Sequence, residues 1–225
     1  MVADPVYVLL ADLVTSRDVE DRAALRDRLE RALVELAGDG AAWYAPLVPV
    51  KGIDELSGVL AQPSCAFDLA LRINLAVWPH RFRFALGQGS IDVAYETRRA
   101  PAMDGTAFHR GADGLARARS EGLPFVLVAP AVSSASRGSI EALLAFHDHF
   151  MRRWTPRAVN AVRAYRRHGS QRGAAGELGV SQQAVSDALR RAHHTLLVRA
   201  ESAVRDHLAA LFPNDDSPLP KMVRP

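Results

Sequence analysis

Val6 to Val14, VYVLLADLV, is an almost unbroken apolar run of β-prone residues, the pattern of a central strand buried on both faces. Asp12 interrupts it near the C-terminal end. A carboxylate there is costly unless it is paired, hydrogen-bonded or bound to a cation. The alternative is a strand that stops at Ala11, with Asp12 in a wet turn. Leu25, Leu29, Leu33 and Leu36 then recur at helical spacing, with Ser16 or Asp18 as cap and Gly38-Asp39-Gly40 as terminator. The helix is expected to run to about Ala37, its charged residues forming a solvated face. Ala42 to Val50 is expected as a second strand, which Pro46 and Pro49 push to an edge or a bend. A turn-like Lys51 to Glu55 leads into Leu56 to Leu60. Leu71, Leu75 and Trp78 mark a helix over Phe67 to Trp78. Arg81 to Val93 is two short strands or one bent strand around Gly87-Gln88-Gly89, without the spacing of a phosphate loop. Gly105 to Ser120 is a helix, and Pro124 to Ala129 a last strand.

After the small, polar Ala131 to Gly138, which has the composition of a linker, the pattern is helical throughout. Helices are expected over Ser139–Arg153 and Thr155–His168, followed by a helix-turn-helix from Gly169 to Arg199. There Ser170 caps a short helix, Gln171 to Leu178, and Gly179 supplies the left-handed turn residue. Ser181 caps the next helix. Val185, Ala188, Leu189 and Ala192 form its inward face against Ala174, Ala175, Leu178 and Val180. Leu196, Ala200, Val204, Leu208 and Leu211 extend the stripe and could carry the helix on to Leu211. The expected organisation is an α/β sandwich over 1–130, a linker over 131–138, a helical domain over 139–212 and a Pro-rich mobile tail over 213–225. The fold class is therefore α+β.

Charge sharpens this division. The net formal charge of the 225 residues is only +3, but residues 151–210 hold 11 Arg against 4 acidic residues, while residues 1–150 are net acidic. A basic module beside an acidic one fits nucleic-acid binding. Gln182, Gln183, Ser186, Asp187 and Arg190 point outward from the second helix. Gln and Arg are the side chains that pair with A and G edges in the major groove. Ser181, Gln182, Gln183, Ser186 and Arg190, with Arg166, Arg167 and Arg172 toward the backbone, are the expected contacts to double-stranded DNA. Arg152 and Arg153 are further phosphate candidates. The single cysteine, Cys65, excludes an intrachain disulfide and suits a reducing cytoplasm. No apolar stretch approaches the length needed to span a bilayer, and the N-terminus is no signal peptide, so a cytoplasmic location is expected. His147 and His149 straddle Asp148 on different sides of a helix and are not expected to share a metal.

Asp12 at the end of the first strand and Asp54-Glu55 at the next hairpin tip are carboxylates that an α/β sheet can make neighbours. Together they would suit a divalent cation holding a phosphate. The order strand–Asp, helix, strand–acidic turn–strand resembles the core of class III nucleotidyl cyclases and diguanylate cyclases, a ferredoxin-like sandwich. Ala11-Asp12-Leu13-Val14 resembles their metal-binding strand and Gly52 to Gly58 their hairpin. The whole chain, over roughly residues 6–200, resembles the SatD family of bacterial proteins. The matching segments are ADLVTSR (11–17), the acidic group at 54–58, RFALGQGSID (83–92), MDGTAFHRGAD (103–113) and the helix-turn-helix. The resemblance implies Mg²⁺ and a nucleotide at Asp12, Asp54 and Glu55. Ile53 separates Gly52 from Asp54, where the cyclases tend to have Gly directly before Asp. His109 and Asp113 stand where active cyclases carry an Asn and an Arg. An acid cannot stabilise developing phosphate charge as Arg does, so ligand sensing is expected rather than cyclase turnover. The expected protein is thus a DNA-binding regulator, dimeric through the Leu196–Leu211 stripe centred on Val204 and Leu208. A nucleotide-processing enzyme, with the helix-turn-helix as a dimerising element, is the competing expectation.

Overall fold

A computed structural model of the protein describes residues 5–15 and 19–213. Ser16 and Asp18, the expected caps, and all of the tail beyond Pro213 lie outside them. The architecture is α+β, with a five-stranded mixed sheet and eight α-helices among the described residues. The first part of the chain runs β1 (Val6–Leu13), α1 (Arg22–Ala37), β2 (Trp43–Lys51), β3 (Glu55–Leu60), α2 (Ala66–Val77), β4 (Phe82–Gly89), α3 (Thr106–Glu121) and β5 (Phe125–Val128). The strand order across the sheet is β2-β3-β1-β4-β5. The first four strands pair antiparallel, and β5 lies parallel to β4. β1 is therefore flanked on both sides, and the Pro-bearing β2 is an edge.

The apolar run of β1 is explained by burial on both faces. Val6, Val8 and Leu10 point to one side, where Val59, Met103, Ala107 and Phe108 pack on them. Leu9 and Ala11, alternating to the other side, are fully buried. α1 is capped by Asp21, whose carboxylate accepts a 2.9 Å bond from the Ala24 N–H. This residue was expected to be a solvated acid. The four expected leucines of α1 are all buried.

Residues 82–89 form one strand with no break at the glycines. Those glycines serve close approach. A Cβ on Gly87 would lie 2.3 Å from the Ala107 carbonyl oxygen, and one on Gly111 would meet the Leu10 side chain at 2.9 Å. The backbone of α3 thus rests almost directly on β4 and β1.

By its internal contacts the chain divides into two units: the stretch through Glu141 together with that from Arg205 onward, and Ala142–Val204. Residues 131–138 are not a linker, because α4 (Ser134–Met151) begins inside them. The Ser133 hydroxyl accepts a 3.1 Å bond from the Ser136 N–H and caps it. The second unit contains the end of α4, then α5 (Pro156–His168), α6 (Gln171–Leu178), α7 (Gln182–Arg191) and the start of α8 (His194–Leu211). Three caps support it. The Thr155, Ser170 and Ser181 hydroxyls accept from the N–H groups of Ala158, Gly173 and Ala184 at 3.2, 3.1 and 3.1 Å.

α7 does not run on to Leu211. It stops at Ala192, and His193 takes a left-handed conformation (φ 53°) before α8 begins. The buried stripe of α8 is Leu197, Glu201, Val204 and Leu208, continued by Phe212 just past its end, whereas Leu196 is exposed. Val204 and Leu208 are enclosed within the chain and so offer no surface to a second copy. From Arg205 on, α8 belongs to the first unit. Arg205 bonds Asp68 at 2.8 Å, and Phe212 packs edge-on against Tyr7 with ring centroids 5.0 Å apart.

Candidate functional site

In the second unit, the turn Gly179–Ser181 joins α6 to α7. Gly179 adopts φ 64°, where a side chain would be strained. Val185, Leu189 and Ala192 are buried, as are Ala174 and Ala175 of α6, so small residues bring the two helices together. Val180, expected in that contact, is instead exposed. The opposite side of α7 presents Gln182, Gln183 and Arg190 to solvent, with Ser186 and Asp187 half-buried. Asp187 organises this face. Its Oδ1 accepts from Gln183 Nε2 at 3.3 Å and from Arg190 at 2.8 Å. Ser181 is exposed, but its hydroxyl is committed to the cap.

The arginines sort into two groups. Arg166 does not reach outward. Its guanidinium bonds the buried Glu201 at 2.5 Å, and His147 bonds the same carboxylate oxygen at 3.0 Å. Burial acts to raise the Glu201 pKa, but the His147 bond and the Arg166 charge outweigh it and hold the carboxyl at about 2. Arg167 is paired with Glu177, Arg152 with Asp148, and Arg153 with His149. Arg172, Arg157, Arg191 and Arg199 are exposed and make no ion pair among the described residues. The sequence marks only the Arg152–Asp148 pair, at i,i+4 helical spacing, because Glu177 and Glu201 lie 10 and 35 positions from Arg167 and Arg166.

Burial lowers the His194 pKa, and Arg166 adds to the effect. Its Nε2 has no hydrogen-bond partner among the described residues. Neither His193 nor His194 lies on α7.

In the first unit, the three acids expected to share a cation are divided. Asp12 is buried and stands opposite Glu55 on one side and Arg83 on the other. Its Oδ2 accepts from Arg83 at 3.0 Å and forms an ion pair with Arg119 at 3.1 Å. The cost of burying this carboxylate is therefore met by two guanidinium groups, and the strand continues through it. Asp54 is drawn away to Arg22 at 3.1 Å. Glu55 is exposed and makes no ion pair with Lys51, its neighbour across the hairpin. No group of three or more His, Cys, Asp or Glu side chains placed to hold a metal occurs among the described residues. His109 Nε2 lies 3.2 Å from Asp104 Oδ1, and Asp113 is exposed.

What β1 and β3 do build is a cleft of about 440 Å³ against α3. Its floor carries Leu10, Asp12, Glu55 and Ser57, and its walls include Met103 and Phe108. Ser57 is 4% exposed, and its hydroxyl oxygen has no hydrogen-bond partner among the described residues. Ser57 is not marked in the sequence, because a Ser in an apolar strand carries no pattern of its own.

These features define a two-unit α+β protein with a basic helical part. The SatD family model matches residues 7–206, and the chain belongs to the SatD family. No curated protein matches it. Among the described residues no helix is long and apolar enough to cross a membrane.

Proposed function

We propose that this protein is a sequence-specific DNA-binding regulator, with α6 and α7 as a helix-turn-helix and α7 as the helix that enters the major groove. The observation that carries this reading is the polar face of α7. Gln182, Gln183 and Arg190 are exposed on a short, doubly capped helix whose other side is buried against small residues. Arg172 and Arg191, which make no ion pair among the described residues, lie in the first turn of α6 and the last turn of α7, and they take the backbone-contact role in place of Arg166. The first unit is read as a cyclase-like, ferredoxin-like sandwich, because a βαββαβ order with strands ordered β2-β3-β1-β4 is the connectivity of that group. Its role in this reading is regulatory rather than catalytic. Mg²⁺ with a nucleotide is not part of it, because Asp12 is bound by Arg83 and Arg119 while Asp54 is bound by Arg22.

Selection from a random duplex library with the full chain tests the proposal. A defined motif is expected. Gln183→Ala or Arg190→Ala should relax preference at single positions by about 1–3 kcal/mol per lost contact. Arg172→Ala should weaken all sequences alike and reduce the salt slope by about one. Recovery of no motif, or full specificity in the Gln182/Gln183 double alanine variant, would refute it. Two half-sites call for two copies of the chain, and sedimentation with and without the selected duplex measures that pairing.

A further inference from the structure

We infer that Asp187 is a specificity-setting residue of α7, which positions Gln183 and Arg190 so that they read an adenine and a guanine together. This role rests on the DNA-binding function proposed for α7. Three observations combine. Gln183, Asp187 and Arg190 follow at steps of four and three residues, so they share one face of the helix. The bonds from Gln183 Nε2 at 3.3 Å and from Arg190 at 2.8 Å end on the same carboxylate oxygen, Asp187 Oδ1. Asp187 is the single acid of α7, and 30% of its side chain is exposed against 76% for Arg190.

Such pairs stabilise an exposed helix only weakly, and an acid on a helix facing DNA repels phosphates. What Asp187 supplies is order. A long side chain loses conformational entropy when a base fixes it, and an uncompensated arginine is drawn to phosphate oxygens of any sequence. Asp187 holds both side chains beforehand and offsets the charge of Arg190. Arg172 and Arg191, without ion pairs among the described residues, keep the affinity for backbone. The carboxylate also sets the orientation of Gln183. An ionised acid only accepts, so the amide NH₂ turns toward Asp187 and gives it one N–H. The amide oxygen and the other N–H remain, the acceptor–donor pair that matches N6 and N7 of adenine. Arg190 gives one N–H to Asp187 and keeps the rest of its fork for O6 and N7 of guanine. Gln183 and Arg190 are about 10 Å apart along the helix axis. For a helix lying along the groove, that is about three base-pair steps.

The test is selection from a random duplex library by the wild-type full chain and by Asp187→Ala in parallel, followed by titration of selected and random duplexes. The wild-type motif should hold an A·T and a G·C pair about three positions apart. Asp187→Ala should lower preference at both positions at once, by roughly tenfold in total. It should also tighten binding to a random duplex roughly twofold, because a charge that repels phosphate is gone. In a Gln183→Ala/Arg190→Ala background the same change should alter base preference no further, since Asp187 acts through those two side chains. Alanine is a strong helix former and the buried Val185 and Leu189 are untouched, so α7 keeps its fold in the variant. A wild-type chain that selects no motif refutes the DNA-binding function itself. Three results leave that function standing and overturn the role of Asp187: a motif unchanged by Asp187→Ala, a further change of preference in the double-alanine background, or a variant that loses affinity for all duplexes alike.

Discussion

Glu201→Gln is the substitution with the most to say about the second unit. Glu201 is 2% exposed on α8, and its Oε1 receives both Arg166 from α5 and His147 from α4. Three helices therefore meet at one carboxylate oxygen. Gln keeps the shape but loses the charge, and its amide NH₂ cannot accept from a guanidinium. Charge-assisted bonds are worth about 1.5–3 kcal/mol each, and removing one partner of a buried pair costs about 3–5 kcal/mol. The pKa gives an independent figure. A carboxyl held at about 2 in the fold against an ordinary value of 4.5 contributes about 3 kcal/mol at neutral pH.

The sign follows from the depressed folded pKa. This stability is fully present above about pH 4.5 and disappears as pH falls through about 2. Urea unfolding, followed by the indole N–H signal of Trp154, reports on this unit, because that N–H bonds the Ala192 carbonyl at 3.0 Å. The variant should be about 3 kcal/mol less stable at pH 7, with a deficit of roughly 1 kcal/mol at pH 3. A deficit that is the same at both pH values, or below about 1 kcal/mol at pH 7, would refute the reasoning.

Three further substitutions bear on the rest of the structure. Asp12→Asn should destabilise the chain by about 1–3 kcal/mol in thermal unfolding, since it removes the negative charge that Arg83 and Arg119 share. A repelled, cation-seeking acid would instead be neutral or stabilised by the same change. Gly87→Ala should cost about 1–3 kcal/mol, because its Cβ has no room beneath Ala107. Wild-type stability in that variant would mean α3 is free to lift. Ser181→Ala should cost about 1 kcal/mol through the lost α7 cap, and an unchanged unfolding midpoint would count against the cap geometry.

The parts that local pattern controls were legible in the sequence. β1 reads as a central strand because it is buried on both sides, and the α1 leucines and the Ser170, Gly179 and Ser181 signals stand where the structure uses them. The failures have separate physical origins. His193 breaks the helix by adopting a left-handed conformation that a non-glycine residue rarely takes and that nothing nearby announces. Ser133 reads as linker because a serine in a run of serines and alanines looks the same whether or not it caps a helix. Asp12 suggested a cation site because Arg83 is 71 residues away. Only the β1–β4 register, which no local pattern encodes, sets the two side by side. Ser57 was invisible for the same reason, since its lack of a partner is a property of the assembled face.

The seating of α3 on Gly87 and Gly89 bears on how the cleft can evolve. Most cavities are bounded by side chains that change rotamer or exchange for neighbours of other sizes, so their width drifts easily. Here the helix that carries Phe108 and Leu115 stands off from the sheet by a backbone-to-backbone distance. A larger residue at 87 or 89 would tilt or raise the whole helix rather than adjust one wall. The gap between α3 and Leu10 therefore behaves as a fixed calibre. Lineages carrying these glycines should vary the lining of the cleft through the residues at 55, 103 and 108, and leave its width unchanged.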